Sequence, residues 1–103
     1  MESGNKGTDL SPENAKRIIS LCIREGMVIP LPHCRKRMEE RGATMQDVVY
    51  VLQEGEMVDG PVWNSDRGEW KCILQGYDLD DDELHVVTAV IVESSKIFLI
   101  TVY

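Results

Sequence analysis

The apolar residues of this chain change their period once, and the change falls at Gly55. Before it they recur at helical spacing: Ala15, Ile18, Ile19 and Cys22 follow at i, i+3, i+4 and i+7, as do Met45, Val48, Val49 and Leu52. Ser11 is placed as an N-cap with Pro12 at the first helical position, and Gly26 ends the run. A second helix is expected from Pro32 until Gly42. The third opens at Thr44, three residues before Asp47 in a capping-box-like arrangement, and ends at Gly55. Between the first two helices, "MVIPLP" carries two prolines. It is read as an extended lead-in, because proline cannot donate to the ladder of a central strand.

Beyond Gly55 the pattern becomes strand-like in "EMVDGPVW", "EWKCILQGYD", "ELHVVTAVIVE" and "KIFLITVY", separated by Asn/Ser/Asp/Gly or acidic turn clusters. Short connections between successive strands imply an antiparallel meander of about four strands. The expected fold is α+β, with N-terminal helices packed on one face of that meander. Residues 1–10, without periodicity, are expected to form a loose tail, and 11–103 a single domain.

A two-residue turn at Ser94-Ser95 would pair Thr88 with Thr101 and Val86 with Tyr103. With "LDDD" as a four-residue loop, Asp78 opposes Glu83. Lys71, Gln75 and Tyr77 then share a polar face with Thr88, Thr101 and Tyr103. The core face receives Trp70, Cys72, Leu74, Val87, Ala89, Ile91, Phe98, Ile100 and Val102, with His85 near its end. A bulge would exchange these faces locally.

Composition narrows the function classes. With 43% apolar and 28% charged residues, the 103-residue chain reads as an ordinary globular domain. No apolar run approaches the roughly 20 residues that span a bilayer, and "MESGNKGTDL" lacks a signal-peptide core. A cytoplasmic protein without a membrane partner is expected. Cys22, Cys34 and Cys72 are odd in number and never in a C-x-x-C pair, so they are read as reduced, partly buried thiols. A net charge of −7 argues against non-specific nucleic-acid binding, and no DNA partner is expected from this chain alone.

That charge is zoned. "DLDDDE" holds five of the eighteen acidic residues, whereas "PHCRKRMEERG" holds four of the eleven Lys and Arg and one of the two His. The acidic run begins like a calcium loop, but Glu83 stands where such a loop needs Gly and strands flank it, so a solvated turn is expected and no metal. In the basic run, His33, Arg37 and Arg41 form one helical stripe. Arginine suits bidentate phosphate contact and histidine titrates near neutrality, a combination fitted to phosphodiester chemistry. A solvated helix face with both arginines paired to glutamates would show the same pattern.

His85 is mid-strand, where a satisfied core histidine is the commoner explanation. Should it meet His33, one imidazole could take the proton of a 2'-hydroxyl while the other gives one to the leaving 5'-oxygen, without a metal or other cofactor. Lys71, Gln75, Tyr77, Thr101 and Tyr103 form a second polar cluster, which is also what the wet side of an antiparallel sheet looks like. Trp63 and Trp70 are as consistent with packing as with base stacking.

The segments "HCRKRMEERG", "MQDVVYVLQEGE" and "ELHVVTAVIVESSKIFLITVY" together resemble a bacterial family of small domains of unknown function placed in the RelE-like toxin superfamily. Its members are often encoded beside a zinc-finger antitoxin of the MqsA (YgiT) type. The resemblance covers residues 33–103. It implies a RelE-like sheet with helices on one side and a metal-independent endoribonuclease that cuts messenger RNA. It also maps the family's H-x-x-x-R motif onto His33 and Arg37, its trailing arginine onto Arg41, its H-V-V onto His85 and its final I-T-V-Y onto Ile100 to Tyr103.

The resulting expectation is a toxin-like ribonuclease. His33, Arg37, His85 and Tyr103 are its catalytic candidates, and Arg41, Lys71, Gln75 and Thr101 its substrate contacts. RNA is the substrate and a zinc-finger antitoxin the partner. The alternative is a non-catalytic module that holds an antitoxin or another protein.

Overall fold

The computed structural model describes residues 10–103, so the expected tail lies almost wholly outside the described residues. The helices are α1 (Pro12–Glu25), α2 (Pro32–Arg41) and α3 (Met45–Glu54). Each boundary has a local cause. The Ser11 side chain accepts from the Asn14 N–H at 3.0 Å, satisfying one of the donors that every helix start leaves open. Thr44 and Asp47 complete a reciprocal capping box for α3. Gly26 and Gly42 close α1 and α2 in the left-handed conformation, with φ of 80° and 67°.

The strands are β1 (Val28–Pro30), β2 (Glu56–Asn64), β3 (Glu69–Tyr77), β4 (Glu83–Ile91) and β5 (Lys96–Val102). They form one sheet in the order β1-β5-β4-β3-β2. This corrects the expected four-strand antiparallel meander. β2 to β5 do form that meander, but the proline-flanked lead-in contributes a fifth strand, parallel to β5, making the sheet mixed. It stays short and at the edge, where the proline costs no ladder bond.

α1 and α3 pack against each other and on the sheet, while α2 runs along β5. One core results. Ile19, Val48, Leu52, Leu74, Val86 and Leu99 are fully buried in it, and Cys34 and Met38 bring α2 into the same cluster.

Both predicted hairpin registers are wrong, and each for a physical reason. The β4–β5 turn is a four-residue loop closed by Ile91 opposite Lys96. A two-residue turn would demand positive φ at two consecutive residues, whereas only Ser95 adopts it here. The β3–β4 loop spans five residues, from Tyr77 to Glu83. Asp78 does not pair across; its carboxylate instead accepts from the N–H groups of Asp80 and Asp82, both at 2.9 Å.

A one-residue slip moves a whole strand's side chains to the other face. Gln75 therefore opposes His85, and Leu84, Val86, Thr88 and Val90 point into the core. Val87, Ala89 and Ile91 were expected on the core face but lie on the outer face with His85, where Val87 and Ala89 are nonetheless buried. Thr88, expected on the polar face, is fully buried.

β5 carries a bulge. Leu99 opposes Thr88 and Thr101 opposes Val87, which leaves Ile100 surplus. Ile97 and Leu99 are core residues before it, and Val102 after it. Phe98 and Ile100, expected in the core, are only half-buried.

Candidate functional site

The outer face of the sheet is where the sequence-predicted residues converge. At the end formed by the start of β4 and the end of β5, His85 and Tyr103 exchange both backbone hydrogen bonds, at 2.7 and 3.0 Å. Such a pair projects its side chains from the same face of an antiparallel ladder. The rings stack, with centroids 4.6 Å apart and planes 6° from parallel. Without the Ile100 surplus, a regular β5 with the same residues would have turned Tyr103 inward.

Gln75 stands across from His85 on β3, and its amide donates to the Glu83 carboxylate at 3.0 Å. The Glu83 carbonyl accepts from the Arg41 guanidinium at 2.9 Å. Helix α2 is thereby tied to the strand that carries His85, and Arg41, Glu83, Gln75, His85 and Tyr103 form one connected group. Thr101 lies one row along the same face, opposite Val87.

Glu83 was not among the residues expected from sequence. A signal for it existed: residues two apart on a strand share a face, so "ELH" already places Glu83 beside His85 whatever the register.

The rest of the cationic stripe stays outside this group. Arg37 pairs with Glu40 at 2.9 Å on the helix surface. His33 is exposed in the first turn of α2, and its side chain has no hydrogen-bond or ring partner among the described residues. It precedes Arg41 by two helical turns, about 12 Å along the axis. Lys71 lies on the same outer face as Gln75 but four residues earlier on β3, or about 13 Å away.

All three thiols are free and buried. Burial pushes the Cys72 thiol up to about 12, assisted by the Asp59 charge, and burial also raises Cys22 and Cys34. Trp70 is buried and packs against Trp63 with ring centroids 5.2 Å apart, so this pair belongs to the packing. Among the described residues, no three His, Cys, Asp or Glu side chains are grouped to hold a metal ion, and no helix is long and apolar enough to cross a membrane.

A family model described as "Domain of unknown function (DUF4258)" matches residues 31–103. The chain belongs to this family. The DUF4258 region takes in α2, α3 and the whole meander, including all eight candidate residues, and leaves α1 and β1 before it. No curated protein and no solved structure matches the chain.

Proposed function

We propose that this DUF4258 domain is a RelE-like, toxin-like endoribonuclease that cleaves RNA by 2'-hydroxyl attack without a metal. The observation that carries the reading is the His85–Tyr103 stack on an open sheet face, with the Gln75 amide and the Arg41 guanidinium at the same end. His85 takes the proton from the 2'-hydroxyl. The 2'-oxygen bonds to phosphorus, the bond to the 5'-oxygen breaks, and the Tyr103 hydroxyl protonates that oxygen. Products are a 2',3'-cyclic phosphate and a 5'-hydroxyl; solvent then takes the proton from the His85 imidazolium and returns one to the Tyr103 phenolate. Arg41 stabilises the charge that builds on the phosphate oxygens, and Gln75 and Thr101 position the backbone. His33 and Arg37, on the flank of α2, extend the contact to RNA.

The RelE-like assignment rests on the resemblance carried by "HCRKRMEERG", "MQDVVYVLQEGE" and "ELHVVTAVIVESSKIFLITVY". A zinc-finger antitoxin of the MqsA type is the partner that this assignment brings with it. Incubation of the purified chain with RNA, with end-group analysis of the products, tests the reading. Loss of cyclic-phosphate ends in His85→Ala and Tyr103→Phe supports it; equal cleavage by all three proteins overturns it.

A second reading, a non-catalytic module that holds a protein partner, is favoured by the Arg37–Glu40 pair and by the net charge of −7. Tight antitoxin binding without any RNA cleavage would select it.

A further inference from the structure

The outer face has a second feature, a cavity of about 420 Å³ at the opposite end from His85. Its walls are apolar: Leu31 from the start of α2, Ala89 from β4, and Phe98 with the surplus Ile100 from β5. Its rim is polar and comes from the β2–β3 hairpin. Arg67 and Lys71 supply two cations there, and Glu69 and Asn64 complete the rim.

We infer that this cavity holds a nucleobase of the RNA strand, with the attached phosphate on Lys71 and Arg67. The inference rests on the ribonuclease reading for its biological meaning and on the cavity alone for its chemistry. The volume lies in the range of small-ligand pockets, and the Phe98 ring offers a face on which a base can stack. Charge complementarity selects an anionic ligand. In a chain of net charge −7, the two rim cations outnumber the single rim carboxylate, and neither side chain is committed to an ion pair or hydrogen bond among the described residues.

The remaining rim groups read the base edge. The Asn64 side-chain oxygen already accepts from the Asp66 N–H at 3.1 Å, which leaves its amide nitrogen to donate. The Glu69 carboxylate only accepts, so it pairs with an N–H on the base edge, which cytosine offers at N4, adenine at N6, guanine at N1 and N2 and uracil at N3. Ala89 and His85 lie on one face of β4, four residues or about 13 Å apart, so a single strand can occupy the cavity and reach the stacked pair.

Methyl-resolved NMR titration of the full chain with each 5'-nucleoside monophosphate, its nucleoside and inorganic phosphate tests the site. The Ala89 and Ile100 methyl signals should shift saturably with the monophosphates. Nucleosides, and the monophosphates against Lys71→Ala or Arg67→Ala, should bind about tenfold more weakly or worse. Ala89→Leu, which fills the floor, should abolish the response, and the exposed Lys71→Ala tests the site independently should that variant not fold. Absence of saturable shifts with every monophosphate, or identical shifts from inorganic phosphate alone, overturns the inference. Mononucleotides contain no cleavable linkage. Binding without RNA cleavage therefore removes the nuclease reading and keeps the site, whereas cleavage without mononucleotide binding does the reverse.

Discussion

His85 and Tyr103 lie ring on ring, 4.6 Å between centroids and 6° from parallel, because their backbones form a mutually hydrogen-bonded pair at the sheet's outer end. The contact is set by the ladder rather than by chance collision of two mobile side chains. Replacement of either ring should therefore leave the fold intact and act on the chemistry. In the proposed reaction, His85→Ala should lower the single-turnover rate of RNA cleavage by about 10²- to 10⁴-fold, and Tyr103→Phe should lose rate while keeping the stack. A circular dichroism spectrum unchanged in both variants separates this from unfolding.

Arg41 reaches the same end of the sheet, where it donates to the Glu83 carbonyl in a pocket shared with Asp78 and Asp82, and in the proposed reaction it also meets a phosphate. Arg41→Ala should weaken RNA binding and reduce the slope of log affinity against log salt by about 0.7, the signature of one lost phosphate contact to a single strand. An unchanged slope, measured by fluorescence anisotropy over a salt series, would remove Arg41 from the interface.

Thr88 is fully buried, and its hydroxyl has no partner among the described residues. A buried hydroxyl left unpaired costs about 1–3 kcal/mol, and valine has nearly its shape. Thr88→Val is expected to raise stability by about 1 kcal/mol, read as a higher urea midpoint at constant slope. A lower midpoint would mean that the hydroxyl is paired in solution.

Asp47 is buried and joins three donors: the Thr44 N–H at 2.9 Å, the Thr44 hydroxyl at 3.1 Å and the Leu79 N–H at 3.1 Å. The backbone hydrogen bond from Thr44 is the main reason its pKa is held below the ordinary carboxylate value; the Leu79 and Thr44 hydroxyl bonds act the same way, against the opposing effect of burial. The stabilisation is thus present above the unfolded-state pKa near 3.9 and is lost as pH falls through the lower folded value. Asp47→Asn should cost about 1–2 kcal/mol at pH 7, and the gap to the parent should close below about pH 4 in a pH series of thermal melts.

Legibility in the sequence followed the range of the interactions. Helix starts and stops depend on groups within a few residues, so Ser11, Thr44, Gly26 and Gly42 could be read directly. Strand register depends on loop chemistry, and two loops went astray: Asp78 organised its own turn instead of pairing, and Ser94-Ser95 declined the tight turn. Those slips put His85 in the core and Thr88 on the surface, the reverse of what is found. Of the eight candidate residues, the fold gathers Arg41, Gln75, His85 and Tyr103 at one end of the sheet. Their grouping was not legible, because it requires the true pairing of Gln75 with His85 and the surplus residue in β5. Helical periodicity aligns His33, Arg37 and Arg41 but says nothing of how far along the sheet each one reaches.

The surplus Ile100 gives the outer face a genetic fragility that no side-chain substitution would reveal. Loss of its single codon would restore an unbroken ladder, with Leu99 and Thr101 as neighbours and Tyr103 still beside His85. The wall it gives to the cavity would go with it. Gain of one codon between Thr101 and Tyr103 would do the opposite, carrying the phenol away from the imidazole while sparing the cavity. Single-codon length variants in β5 can therefore uncouple the two ends of this face.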